Sequence, residues 1–140
     1  MSHIAKVLHT GKTHTTGGRD CGASRSSDGR LDIRLSSLGS ARIGANPEQL
    51  LAAGWSASFE SAIAFVACKR KIALPAEMAI DAEVDLNVAD DDDYFLSTRL
   101  NISLPGIDRD TAHALVNEAN KICPYSKATR GNIKVAINLV

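Results

Sequence analysis

The residues of greatest chemical interest are a cysteine, an arginine, a glutamate and a serine spread over more than a hundred positions. Cys123 stands in Cys123-Pro124-Tyr125-Ser126, at the end of a predicted helix and directly before a proline. A thiol there is partly positioned by the backbone and could act as a nucleophile, although a buried, inert cysteine fits the same pattern. Arg19 follows two glycines, Gly17 and Gly18, and offers a guanidinium on a flexible turn; a plain surface charge is the bland alternative. Glu48 lies in the first turn of a long predicted helix, where the helix dipole alone favours a carboxylate. Ser58 lies on the apolar face of that helix, where a hydroxyl ordinarily bonds a carbonyl one turn back.

Two familiar chemistries fit poorly. Gly54-Trp55-Ser56-Ala57-Ser58 begins like a nucleophile elbow, but Ser58 takes the place of the final glycine and the segment lies inside a helix. His3, His9, His14 and His113 have no local link to it. The three cysteines, Cys21, Cys68 and Cys123, form no C-x-x-C and have no histidine at ligand spacing, so no metal site is expected. Cys21 and Cys68 match no motif.

The elements that must position these groups follow from periodicity. Residues 3–9 show weak alternation and predict a first strand; Gly11 to Gly29 reads as loop or edge hairpin. Leu31, Ile33 and Leu35 alternate with charge, as in a half-buried strand, and a loop follows from Ser36 to Ala45. Asn46-Pro47-Glu48-Gln49 combines an N-cap residue, proline at the first helical position and a capping-box spacing. The helix it opens runs to about Lys71. Leu51, Gly54, Trp55, Ser58, Ala62 and Phe65 recur on one face, and many alanines, serines and a glycine make it thin, fit to be central and covered.

Ile80, Ala82, Val84, Leu86 and Val88 alternate, as do Tyr94, Leu96, Thr98, Leu100, Ile102 and Leu104, around a solvated turn of four aspartates. They predict a hairpin of two long strands. The aspartates lack the spacing and distal glutamate of a calcium loop. Asp108 caps a second helix, which Pro124 stops. Ile133, Val135, Ile137 and Leu139 make a closing strand. This order predicts an α+β fold, antiparallel sheet packed on helices, in one domain over residues 1–140.

Composition narrows the function. Of 140 residues, 44% are hydrophobic and 23% charged, so a packed core is within reach and disorder is not expected. Sixteen basic residues balance sixteen acidic ones, which gives no field to attract nucleic acid or an anionic membrane. No apolar run approaches the roughly 20 residues of a membrane span. The N-terminus lacks the apolar stretch of a signal peptide, so a cytoplasmic location is expected.

Taken together and in order, four segments resemble the organic hydroperoxide resistance (Ohr) branch of the Ohr/OsmC family. Gly17-Gly18-Arg19 is similar to the family's glycine-glycine-arginine motif, and Asn46-Pro47-Glu48-Gln49-Leu50 to its helix-opening motif. Ala53 through Phe59 is similar to the segment holding the first active cysteine. Cys123-Pro124-Tyr125-Ser126 is similar to the segment holding the second, and the likeness continues through Ala128-Thr129 to Asn132. The resemblance implies an intertwined homodimer of the OsmC/Ohr fold with two sites at the subunit interface. It implies no bound cofactor, reduction of alkyl and fatty-acid hydroperoxides by a cysteine pair at positions 58 and 123, and recycling by dihydrolipoyl groups on lipoylated proteins. It implies supporting roles for Arg19, which steadies the thiolate, and Glu48, which holds the guanidinium. Trp55, Phe59 and Phe65 would supply apolar surface for an alkyl tail. The departure is Ser58, where the family has its peroxide-attacking cysteine: the chain reads as an inactive Cys→Ser variant of a thiol peroxidase. Two other readings stand beside it, a non-catalytic binder of hydrophobic small molecules and a purely structural dimer in which Arg19 and Glu48 form only an ion pair.

One constraint is geometric. Glu48 and Ser58 are ten residues apart, which one straight helix converts to about 15 Å and about 80° of rotation. Both serve one site only if Glu48 comes from a partner chain or the helix is broken.

Overall fold

The computed structural model describes residues 5–140, so positions 3 and 4 of the expected first strand lie outside the described residues. From residue 5 to residue 12 the chain forms no strand; the alternation there is weak and the side chains are exposed, so nothing apolar selects a face. The chain divides into two compact units, residues 1–47 and residues 48–140.

The first unit is a three-stranded antiparallel sheet of β1 (Thr13–Thr16), β2 (Ala23–Ser26) and β3 (Asp32–Arg34) in that order. Between β1 and β2 lies α1 (Gly18–Cys21), a single turn. The region read as loop or edge hairpin is thus a hairpin with a helical turn at its tip. Leu35 alone among the described residues of this unit is a buried hydrophobic. The stretch after β3 is irregular as expected, closed by a bridge from Leu35 to Ala45.

The second unit carries the core. Its first element is α2 (Pro47–Lys69), 23 residues without interruption. Two strands follow, β4 (Ala79–Ala89) and β5 (Asp93–Ser103), then α3 (Arg109–Ile122), α4 (Pro124–Thr129) and β6 (Lys134–Leu139). The β4–β5 register pairs Ile80 with Ile102, Ala82 with Leu100, Val84 with Thr98, Leu86 with Leu96 and Val88 with Tyr94, which is the pairing the two alternating runs require. Between them Asp90–Asp92 form an exposed turn in which Asp91 (φ 62°) and Asp92 (φ 57°) are left-handed, a conformation aspartate tolerates better than most residues. Asp108 caps α3 by accepting from the Thr111 amide at 3.1 Å.

The sheet differs from expectation in one respect: β6 pairs with β5 in parallel, Thr98 opposite Val135 and Leu100 opposite Ile137. The physical reason is the connection. α3 and α4 return the chain to its starting edge, and such a helical crossover delivers the next strand parallel.

Trp55, Phe59, Ala62 and Ile63 of α2 pack with Leu100, Ile102 and Leu104, with Ala112, Val116 and Ala119 of α3, and with Cys123. Burial of each large side chain contributes about 1.5–3 kcal/mol. On the other face of the sheet Arg99 donates to both Asp85 oxygens, at 2.7 and 2.8 Å, and to Glu83 at 2.6 Å. The Arg99 guanidinium, helped by the Ser97 hydroxyl, holds the Asp85 carboxyl well below the usual carboxylate range.

Contrary to the sequence expectation, α2 is long and apolar enough to cross a membrane by length and composition, with a mean hydropathy of 1.4 over its most apolar window. Trp55, Phe59, Ile63 and Val66 go into the core, while Leu50 and Leu51 are half-buried and Phe65 is exposed. Nor is α2 covered all round: Ala53, Ala57, Ser61, Ala64 and Phe65 are exposed in the single chain.

Candidate active site

Cys123 sits where α3 ends and α4 begins. Its amide still donates to Ala119 O at 2.9 Å, while its carbonyl already accepts from the Lys127 amide at 3.0 Å. Between those bonds its backbone is extended (φ −61°, ψ 123°), the conformation that a following proline imposes. Pro124 therefore stops one helix and starts another, and the residue at the break is held from both sides. Its side chain is fully buried.

Ser58 meets it there. The Ser58 Oγ lies 3.7 Å from the Cys123 Sγ, across sixty-five positions of sequence. A serine bonding a carbonyl one turn back does occur in this helix, but at Ser56, whose hydroxyl donates to Ala52 O at 2.7 Å; Ser58 turns to the sulfur instead. Ser58 is half-buried and Cys123 enclosed, so the pair forms a contact with its serine side nearer the surface.

The remaining expected residues are placed as follows. Glu48 is in the first turn of α2 and half-buried. Because α2 is continuous from Pro47 to Lys69, the option of a broken helix falls away, and Glu48 stands about 15 Å along the axis from Ser58. Arg19 is exposed on α1 in the first unit. The glycines before it do not make a slack turn. A Cβ on Gly17 would come within 2.8 Å of Gly22 Cα, and one on Gly22 within 2.3 Å of Thr16 O and Gly18 O. Gly17 (φ 79°) thus closes a tight loop that fixes where α1 begins.

The apolar trio needs correction. Trp55 and Phe59 have no exposed surface; they are core residues beneath the site and offer nothing for an alkyl tail to touch. The face predicted from Leu51 to Phe65 is displaced: the buried line runs through Trp55, Phe59, Ala62, Ile63 and Val66, and Ser58 borders it. Phe65, 53% exposed, lies outside the core with Lys69 Nζ 4.6 Å from its ring centre. Cys21 and Cys68 are exposed and free, and Cys21 Sγ touches Gly17 O at 3.5 Å.

One contact went unread in the sequence. A Cβ on Gly54 would stand 3.1 Å from the Tyr125 hydroxyl oxygen, so the phenol occupies the notch this glycine leaves. The available signal was a glycine in the interior of a helix rich in alanine, where it costs about 1 kcal/mol and so marks a close neighbour.

Comparisons with known proteins bear on the family and the fold. The OsmC-like protein family model matches residues 39–138. An organic hydroperoxide resistance protein of Xanthomonas axonopodis pv. citri is 41% identical, with 99% of each chain covered. The organic hydroperoxide resistance protein OhrB of Bacillus subtilis is 39% identical over 95% of this chain and 98% of its own. The crystal structure of OhrB superimposes with a TM-score of 0.89 at 38% identity, over 96% of this chain and all of that one. A crystal structure of an organic hydroperoxide resistance protein from Elizabethkingia anophelis gives 0.87 at 36% identity, over 96% and 98%. The chain therefore belongs to the OsmC-like family and, within it, to the organic hydroperoxide resistance proteins.

Proposed function

We propose that this fold serves a thiol-dependent peroxidase for organic hydroperoxides in the oxidative stress response, and that the chain as written, with Ser58, is its inactive form. The observation that carries the reading is the 3.7 Å contact between Ser58 Oγ and Cys123 Sγ. A sulfur replacing the hydroxyl would have to close by about 1.7 Å to reach disulfide bonding distance. The names of the full-length relatives support the substrate class.

With a thiolate at position 58 the steps balance. The thiolate sulfur attacks the distal peroxide oxygen, an S–O bond forms, the O–O bond breaks, and the alkoxide leaves as an alcohol after taking a proton. The resulting sulfenic acid is attacked by the Cys123 sulfur; the S–S bond forms, the S–O bond breaks and water leaves. An external dithiol, in our reading a dihydrolipoyl group on a lipoylated protein, opens that disulfide by exchange and is itself oxidised. No bound cofactor or metal takes part. A serine hydroxyl neither ionises at neutral pH nor forms a disulfide, so both sulfur steps stop.

Arg19 is assigned the lowering of the thiolate's pKa and Glu48 the bidentate grip on that arginine; both roles rest on the resemblance. Because α2 is unbroken, Glu48 is assigned to the site of a partner chain, which goes with a homodimer and with the uncovered face of Ala53, Ala57, Ser61 and Ala64. Residues 1–140 are taken to work as one domain, in the cytoplasm, without nucleic acid or membrane.

A second reading, a non-catalytic binder of hydrophobic small molecules, is favoured by one observation: position 58 holds serine. The codon in the source gene separates the two, cysteine for the first and serine for the second. The direct test is turnover. The Ser58→Cys protein should consume organic hydroperoxide with a dihydrolipoyl reductant, and the Ser58 protein should not; robust turnover by the Ser58 protein overturns the proposal.

A further inference from the structure

We infer that the ring of Tyr125 is a positioning group for the second sulfur, and that its seat on Gly54, which a phenylalanine ring would also fill, sets how fast the disulfide between position 58 and Cys123 closes. The inference rests on the sulfur chemistry proposed above. Gly54 precedes Ser58 by one turn, so the two share a face of α2. Tyr125 follows Cys123 by two residues, and Pro124 between them has its φ locked by its ring. Downstream, the Cys123 carbonyl is held by the Lys127 amide at 3.0 Å and the Tyr125 carbonyl by the Thr129 hydroxyl at 2.9 Å. These bonds tie the turn from Cys123 to Thr129 together, which is the route by which a displaced ring would reach the sulfur.

The seat is tight in a way that can be tested. From the position of a Cβ on residue 54, the Tyr125 hydroxyl oxygen is 3.1 Å away, the adjoining ring carbon 3.5 Å and the next 3.7 Å. An alanine at 54 must push the phenol outward by a few tenths of an ångström. With phenylalanine at 125 the nearest atom becomes the 3.5 Å carbon, an ordinary contact, and no push is needed. Gly54→Ala and Tyr125→Phe should thus cancel, an outcome that follows from one oxygen atom.

The experiment uses the full chain carrying Ser58→Cys, treated with one equivalent of tert-butyl hydroperoxide. Rapid quenching and mass spectrometry follow sulfenic acid, trapped with dimedone, and disulfide separately. Gly54→Ala should leave sulfenic acid formation within about twofold and slow disulfide closure by about fivefold, because proximity effects are steep in distance. Tyr125→Phe should close at the parent rate, and the double variant should regain it. Equal closure rates in all four proteins overturn the inference alone, and so does a double variant as slow as Gly54→Ala. Failure of the parent to link position 58 to Cys123 overturns the underlying peroxidase reading as well. A thermal melt of each variant checks folding; alanine's higher helix propensity acts in favour of the Gly54→Ala protein.

Discussion

At the scale of single residues, the site is decided by one oxygen and one sulfur. Ser58 reproduces the shape of a thiol but not its ionisation, and Cys123 is held at a helix break by bonds on both sides. The two aromatic residues nearest Ser58 on α2 act as floor, not wall. Phe59 is fully buried against the sheet and α3, so Phe59→Ala should destabilise the protein by about 3–5 kcal/mol in denaturant unfolding. A loss below about 1 kcal/mol would mean that Phe59 faces open space, and the assignment to the core would fail.

At the scale of elements, strong periodicity was legible and weak periodicity was not. The alternation of Ile80 to Val88 against Tyr94 to Leu104 carried the hairpin and its register, because a shift of one residue would turn every apolar side chain outward. Pro47 and Asp108 marked the starts of their helices. Over the described part of the expected first strand, residues 5–9, the alternation is weak and Val7 and Leu8 stand exposed, so no buried face selects a strand. The direction of β6 could have been suspected: a parallel pair needs a long, usually helical, crossover, and one was already expected between β5 and β6. The shift of the buried face of α2 toward Phe59 and Val66 could not be read, since so many of its residues are small that periodicity alone does not centre the stripe. Among the site residues, Cys123 and Ser58 were found as single motifs, but their contact, and that of Gly54 with Tyr125, depends on how α4 folds back on α2.

At the scale of the whole molecule, much apolar surface is left uncovered by a single chain. Leu38 and Ile43 of the first unit are 102% and 91% exposed, and one buried hydrophobic among the described residues of that unit is too little for a core of its own. Val88, Tyr94 and Phe95 at the hairpin tip are also exposed, as is the small-residue face of α2. Such surface calls for a partner, and the resemblance names a second copy of the chain. Light scattering at micromolar concentration should return the mass of a dimer, twice the 14.9 kDa of one chain; a monomer would remove the proposed donor of Glu48 while leaving the contact between Ser58 and Cys123 intact.

The central claim is that positions 58 and 123 form one redox pair, and peptide mapping tests it most directly. The Ser58→Cys protein, given one equivalent of an organic hydroperoxide and digested without reductant, should yield a single cross-linked peptide pair joining position 58 to Cys123, with Cys21 and Cys68 still free. Oxidation confined to Cys21 or Cys68, or no disulfide at all while the hydroperoxide is consumed, would contradict the account.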